Sequence, residues 1–358
     1  MLFALSIALL WGCFGRSGGY HEPSFQIFPL DLLPKSLSLR PLSPLVAVIG
    51  PTGSGKSDLA LYLAEQLGGE IVNCDSVQVY RSLEIGSAKL SIQQRRHIRH
   101  HLIDVIEPGG ELSAGEYARL ARQGLNDIRS REKIPIVAGG TGFYLRALLE
   151  GLSPAPGRDK DLRIRLMELA GRRAGALHRF LRSRDPASAT RIHPNDHQKL
   201  IRAIELTALS RQPASQIQRE ARDALRGFLA LKLGLNPERA QLYRKLDERS
   251  AAMFHSGLLE ETRALLDNGI SPGAKALQSL GYKQAVQVLS GELTRDAAIA
   301  ECQVKTRQYA KRQMTWFRSE IGVHWLHGFG DEESIRCEAL RVANEFLKDN
   351  ANGLAITD

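Results

Sequence analysis

The sequence predicts an α/β fold, a parallel sheet with helices on its faces, carrying an inserted and mainly helical subdomain. Three observations carry this. The apolar run LVAVIG leads through a glycine-rich loop into SDLALYLAEQL, whose leucines at 59, 63 and 67 have helical spacing. The same strand, turn and helix order recurs further along. Beyond Gly151 the composition shifts to the arginine-weighted, helical RDKDLRIRLMELAGRRAGALHRFLRSRDP.

The elements follow in order. MLFALSIALLWGCFG has the length of a signal-peptide core, yet no Lys or Arg precedes it and it is too short for a membrane span. Residues 1–44, rich in Ser, Pro and Gly after that run, read as a poorly ordered extension, compatible with a start codon assigned too far upstream. Gly68-Gly69 ends the first helix, and EIVNCDS forms a strand whose carboxyl end carries Asp75. A helix from about Glu116 to Arg131 precedes IPIVAGG, which leads into GGTGFYLRALLEGL. In such a sheet ligands gather at the carboxyl ends of the strands, which places Asp75 and the Gly139–Gly142 turn at one rim. The expected layout is a core of 45–152 and about 188–330, a basic insertion of about 153–187, and a tail of 331–358 that packs as a terminal helix. RIHPNDHQKLIRAIELTAL, where the core is expected to resume, reads as a helix capped at Asn195 or Asp196, with Leu200, Ile201, Ile204 and Ala208 on its buried face.

At 358 residues the chain can bury a full core. With 48 Lys and Arg against 39 Asp and Glu it is formally +9, which favours a polyanionic partner without identifying one. Cys13, Cys74, Cys302 and Cys337 are too scattered for a zinc or redox motif, and read as reduced thiols of a cytoplasmic protein. His97 and His101 have helical i, i+4 spacing, but with no acidic or thiol partner near in sequence they read as a solvated or RNA-facing basic turn.

GPTGSGKSD carries the chemistry. Gly50, Pro51, Thr52, Gly53, Ser54, Gly55, Lys56 and Ser57 fit the phosphate-loop pattern, in which backbone N–H groups and the helix dipole face anionic oxygens. Lys56 adds a full charge, and the Ser57 hydroxyl suits a Mg²⁺ ion bridging two phosphates. Phosphoryl transfer is the commonest outcome on such a scaffold, so a small-molecule kinase is one reading, with Asp104 of HLIDVIEP as a second metal carboxylate or simply a turn residue. In DSVQVYRSLEIGSAK, Asp75 and Gln78 suit a site that reads a base edge and takes a proton from an amine. Alternatively, Asp75 caps the following turn and Gln78 faces solvent.

GPTGSGKSDLAL, DSVQVYRSLEIGSAK, HHLIDVIEP, IVAGGTGFYLRALLEGL, RIHPNDHQKLIRAIE, LGYKQAV and RQYAKRQMTWFR occur in the order found in the bacterial tRNA dimethylallyltransferases, which the chain resembles from about Val46 to Trp325. The resemblance implies a P-loop NTPase-like core, Mg²⁺ as cofactor, and a cytoplasmic monomer with no membrane association. It further implies transfer of the dimethylallyl group of dimethylallyl diphosphate to N6 of the adenine 3′ of certain tRNA anticodons, with diphosphate leaving. Asp75 is then the base and Thr52 hydrogen-bonds near the reacting nitrogen. The loop residues and Arg163 hold the diphosphate. Asp75, Ser76, Val77, Gln78, Thr141 and Gly142 face the flipped base, which Gln78 reads. Three stretches are RNA contacts by the same resemblance: Gln198, Lys199, Leu200, Ile201 and Arg202; Gln278, Ser279, Leu280, Gly281, Tyr282 and Lys283; and Lys311 with Arg312. Trp316 reads as core rather than as a base platform. The chain departs from the family pattern with Gly53 for alanine, Val77 for methionine and Arg99 for proline; none removes a functional group. A non-enzymatic RNA-binding module is the remaining alternative, and it leaves the joint occurrence of these motifs unexplained.

Overall fold

The computed structural model describes residues 42–218 and 222–351. The expected extension therefore lies, up to residue 41, outside the described residues. The first strand, β1 (Ser43–Ile49), is followed by α1 (Lys56–Leu67), β2 (Glu70–Asn73), β3 (His100–His101), α2 (Ala114–Ser130), β4 (Pro135–Gly139) and α3 (Gly142–Leu149). Two further strands, β5 (Phe228–Leu235) and β6 (Val323–Leu326), complete a six-stranded sheet of order β3-β2-β4-β1-β5-β6, with every pairing parallel.

The period-two geometry of β1 divides the core. Leu45, Ala47 and Ile49 face one cluster of buried side chains, and Val46 and Val48 face another. The second cluster is closed by α1 and by α13 (Glu333–Ala351), which supplies Ile335, Ala339 and Ala343. The tail expected to pack as a terminal helix does so over Glu333–Ala351. Local signals act where expected: Gly68 takes a left-handed conformation at the end of α1, and α2 opens with a Ser113/Glu116 capping box.

Between α3 and β5 lie α4 (Lys160–Arg172), α5 (Ala176–Arg184), α6 (Pro186–Arg191), α7 (His197–Ser210) and α8 (Ala214–Ile217). They share a core of their own, built from Leu166, Leu177, Leu181, Leu200, Ile201, Ile204, Ile217 and neighbours. Helix α7 starts at an Asp196 cap, as the sequence indicates, but its buried face belongs to this helical unit. By packing, then, the insertion runs to Ile217 rather than to about 187. Its shape depends on a buried carboxylate: Asp185 accepts from the backbone N–H groups of Ser188 and Ser215 and from the Ser215 hydroxyl.

The remaining helices, α9 (Arg239–His255), α10 (Leu258–Asp267), α11 (Tyr282–Leu289) and α12 (Arg295–Phe317), pack against the face of the sheet that carries Leu45 and Ile49, with Phe254, Leu258, Tyr282, Ala298 and Phe317 in its core.

Candidate active site

At the carboxyl ends of β1, β2 and β4 a cavity of about 520 Å³ opens between the phosphate loop and α9. Thr52, Gly53, Gly55, Lys56, Ser57, Asp75, Gln78, Lys245, Glu248, Arg249 and Asp331 are among its lining residues.

The loop has the conformation an anion cradle requires. Gly55, with φ +82°, places the first turn of α1 under the loop, and a Cβ there would lie 2.8 Å from the backbone nitrogen of Gly330. Gly330 in turn donates its N–H to Ser54 O at 2.9 Å, so the segment after β6 braces the loop from outside. Gly53 has φ +77°, and its virtual Cβ falls 2.6 Å from Cδ2 of Leu246. Glycine suits this loop and this packing on both counts.

Lys56 Nζ donates to Pro51 O at 2.7 Å. Burial of its ammonium lowers its pKa to about 8, against the attraction of Asp75 and with a smaller push from Arg249. Arg249, on α9, is half-buried, its pKa is lowered by desolvation, and it donates to the Thr52 hydroxyl at 2.8 Å. Its Nε makes no hydrogen bond. Lys56 and Arg249 both lose hydration at this rim and are offset only in part by Asp75, so a polyanion seated in the cradle would restore what burial costs them.

Asp75 faces this group from the end of β2. Its Oδ1 accepts from the backbone N–H of Val77 at 2.8 Å and of Gln78 at 3.4 Å, so it does cap the following turn. Both bonds fall on Oδ1, and Oδ2 has no hydrogen-bond partner among the described residues. Gln78 lines the cavity instead of facing bulk solvent, and its Nε2 donates to Ser87 O at 3.2 Å. The two sequence alternatives are compatible: the turn that Asp75 caps is the one that brings Gln78 in. Thr141, the residue before α3, fixes the same turn by accepting from Ser76 N at 3.0 Å.

Other expected site residues are not gathered here. Arg163 is in α4, where its guanidinium meets the fully buried Glu205 at 3.1 Å alongside Arg202 at 2.6 Å. Arg163 does not line the cavity. Leu200 and Ile201 are core residues of the helical unit, so of that stretch only Gln198 and Lys199 are exposed. Tyr282 is fully buried and Gly281 is buried with it, whereas Gln278 and Lys283 are exposed and Ser279 and Leu280 half-buried. Lys311 and Arg312 are exposed on α12. Gly142 is covered by Trp316, whose ring would be 2.2 Å from a Cβ at that position. The ring also lies under the Arg146 guanidinium, in keeping with the core reading.

Asp104 pairs with the buried Lys89 and lies within 3.7 Å of Arg95, which makes it a turn anchor away from the loop. His101 does have a carboxylate partner: its Nε2 is 2.7 Å from Glu70 Oε2, a contact across β2 and β3 that sequence proximity could not reveal. Burial alone would raise the Glu70 pKa, but hydrogen bonds from Arg131 and His101 outweigh it and hold the carboxyl below its usual range. No group of three or more His, Cys, Asp or Glu among the described residues could hold a metal ion. The Ser57 hydroxyl beside the loop nevertheless fits Mg²⁺ in its usual form, bound mainly through substrate phosphates and water.

Sequence reasoning missed Arg249, Lys245, Gln313 and Asp331. Lys245 and Arg249 form an i, i+4 basic pair on α9, a signal too common to single out. Gln313 sat inside a recognised motif as a spacer. In the structure its Oε1 accepts from Thr52 N at 2.8 Å, and its Nε2 donates to Gly140 O at 2.7 Å. Asp331 pairs with Lys245 at 3.2 Å, having been assigned to an unremarkable tail.

A family model described as IPP transferase matches residues 78–320. The chain belongs to the IPP transferase family. Its similarity to individual members is extensive: 54% identity to the tRNA dimethylallyltransferase of Solibacter usitatus, over 85% of this chain and 99% of that protein. The tRNA dimethylallyltransferase of Koribacter versatilis is 52% identical over 83% of this chain and 97% of that protein. Among solved structures, the full-length tRNA isopentenylpyrophosphate transferase of Bacillus halodurans aligns with a TM-score of 0.64 at 32% identity, covering 87% of this chain and 97% of that one. A eukaryotic dimethylallyltransferase described as acting on tRNA aligns with a TM-score of 0.74 at 27% identity, over 86% and 80% of the two chains. The family match begins at Gln78, downstream of the phosphate loop, so the role of that loop rests on its own geometry. Among the described residues no helix is long and apolar enough to cross a membrane.

Proposed function

We propose that this chain transfers the dimethylallyl group of dimethylallyl diphosphate to N6 of the adenine 3′ of the anticodon in tRNA, releasing diphosphate, as a cytoplasmic monomer that uses Mg²⁺. The observation that carries this reading is the juxtaposition in one cavity of an anion cradle, Lys56 and Arg249, with a carboxylate and an amide, Asp75 and Gln78. A kinase could use the carboxylate as a base too, so what favours prenyl transfer is the amide beside it, which can both donate to and accept from a base edge. The similarity to proteins named tRNA dimethylallyltransferase supports the same reading.

The allylic C1–O bond breaks with its electron pair passing to the diphosphate. The loop N–H groups, Lys56 and Arg249 receive that developing charge. The Ser57 hydroxyl would hold Mg²⁺, which would supply further charge neutralisation to the leaving group. The N6 lone pair forms the new bond to C1, and the N6 proton passes to the Asp75 carboxylate. Because a carboxylate is a weak base, this transfer falls late, once positive charge has developed on nitrogen. Arg249 can only donate to Thr52 Oγ1, so the threonine's own hydroxyl proton is directed away from it. Thr52 thereby links the two halves of the site.

The test is incorporation of label from dimethylallyl diphosphate into an anticodon stem-loop in the presence of Mg²⁺, beside an ATP-hydrolysis control. Label entering the RNA is the expected result. No incorporation, with phosphate released from ATP, would return the chain to the kinases.

A further inference from the structure

Gln78 is held by a loop, and the loop is held from far away in the sequence. Its Nε2 faces the carbonyls of Ser87 at 3.2 Å and Ala88 at 3.5 Å. Carbonyls only accept, so the amide nitrogen must face them, and Oε1 is the end presented as an acceptor. Oε1 has no hydrogen-bond partner among the described residues. The loop that supplies these carbonyls is pinned from α10 and α11. Glu261 Oε2 accepts from Glu84 N at 3.2 Å and from Ile85 N at 3.0 Å, across 177 and 176 residues of chain. Glu261 Oε1 accepts from the Tyr282 hydroxyl, whose oxygen accepts from Gly86 N at 3.2 Å. The Tyr282 ring lies so close that a Cβ on Gly86 would be 2.4 Å from it, which ties the glycine to this packing. Burial, with Glu261 beside it, pushes the Tyr282 phenol far above its usual pKa, so it remains a donor at any working pH.

We infer that Glu261 and Tyr282 are positioning residues for Gln78: together they fix the 84–88 loop so that the Gln78 amide offers an acceptor to the exocyclic amine of the incoming base. The inference deepens the proposed function and rests on it. An acceptor at that point favours a purine carrying an amine at position 6 over one carrying a carbonyl there. Glu261 and Tyr282 need not touch RNA to do this. Tyr282 cannot, being fully buried inside the QSLGYK stretch whose resemblance suggested RNA contact.

A double-mutant cycle tests it, using the full chain, labelled dimethylallyl diphosphate and an anticodon stem-loop. Glu261→Ala is expected to lower kcat/KM for the stem-loop about 10²-fold, the cost of a small misplacement at a reacting centre, while KM for the diphosphate moves by no more than about twofold. In a Gln78→Ala background the same substitution should cost less than about threefold, because the group it positions is already gone. Tyr282→Phe, which keeps the ring against Gly86, should show the same pattern in weaker form, and Glu261→Gln should recover part of the loss. Should Glu261→Ala fail to fold, seen as lost helical signal in circular dichroism, the Tyr282→Phe cycle decides the matter. Equal losses with and without Gln78, or a loss confined to the diphosphate side, would overturn the inference while leaving prenyl transfer intact. A wild-type chain that never labels the RNA would instead remove the proposed function, and this inference with it.

Discussion

Lys56 makes the anion site testable without RNA. In the ligand-free protein the move of its pKa from 10.5 to about 8 corresponds to about 3 kcal/mol of strain on the charged form. Because the folded value lies below the unfolded one, the penalty is fully present below about pH 8 and fades as pH rises towards 10.5. A diphosphate placed against the ammonium reverses the balance, since it favours the charged form. At pH 7 about nine in ten molecules already carry the proton, and at pH 9 about one in ten do, for a pKa of about 8. Dimethylallyl diphosphate should therefore bind about tenfold more weakly at pH 9 than at pH 7, about 1.4 kcal/mol. Binding at the higher pH should take up about 0.9 proton per site, against about 0.1 at the lower. Calorimetry at both pH values, in buffers of different ionisation enthalpy, reads both numbers. Lys56→Met supplies the baseline by removing the titrating group and keeping the stem. Identical pH dependence and proton uptake in wild type and Lys56→Met would refute the argument, because the titration would then belong to another group.

The other substitutions separate the halves of the site. Asp75→Asn should lower the single-turnover rate of RNA labelling by about 10²- to 10⁴-fold while diphosphate binding, read by calorimetry, stays near wild type. Gly330→Ala puts a Cβ 2.2 Å from Gly55 O, and displacement of the phosphate loop should weaken diphosphate binding with RNA binding, followed by fluorescence anisotropy, unchanged. Glu205→Ala leaves the half-buried Arg163 and Arg202 without their shared carboxylate and should destabilise the helical unit by about 3 kcal/mol, visible as an earlier transition in thermal or urea unfolding.

The legible parts of this chain were those in which a local pattern does its work locally. The loop of residues 50–57, the strand before it and the helix after it lie where their spacing puts them, and so do the caps at Gly68, Ser113 and Asp196. Strands β5 and β6 were not anticipated, because FLALKLGL and VHWL are short and flank long helical stretches that dominate any periodicity. Helix α7 shows the limit of pattern in another way. Of its expected apolar face Leu200, Ile201 and Ile204 are buried while Ala208, one turn further on, is exposed, and such a stripe does not name the partner it packs against. The missed residues share a cause: Arg249, Gln313 and Glu261 act on groups 197, 261 and 177 positions away, and no window along the chain contains both ends of such a contact.

Those long-range contacts also explain why motifs read as RNA contacts contain so many buried letters. In KRQMTWFR, Lys311 and Arg312 are exposed and available to a polyanion, but Gln313 turns inward and joins Thr52 of the phosphate loop to Gly140 after β4. One turn on, Trp316 closes over Gly142. A single amide thus fixes the distance between the loop that would hold the leaving group and the turn that holds Ser76 and Asp75 in place. The reaction proposed for this cavity demands that coupling. A diphosphate and a base arriving from separate molecules must meet with the allylic carbon in line between them, and an error of about 1 Å is enough to cost most of the rate. The charges of α12 can attract RNA from any exposed position on the helix, whereas Gln313 can reach both loops only from where it stands.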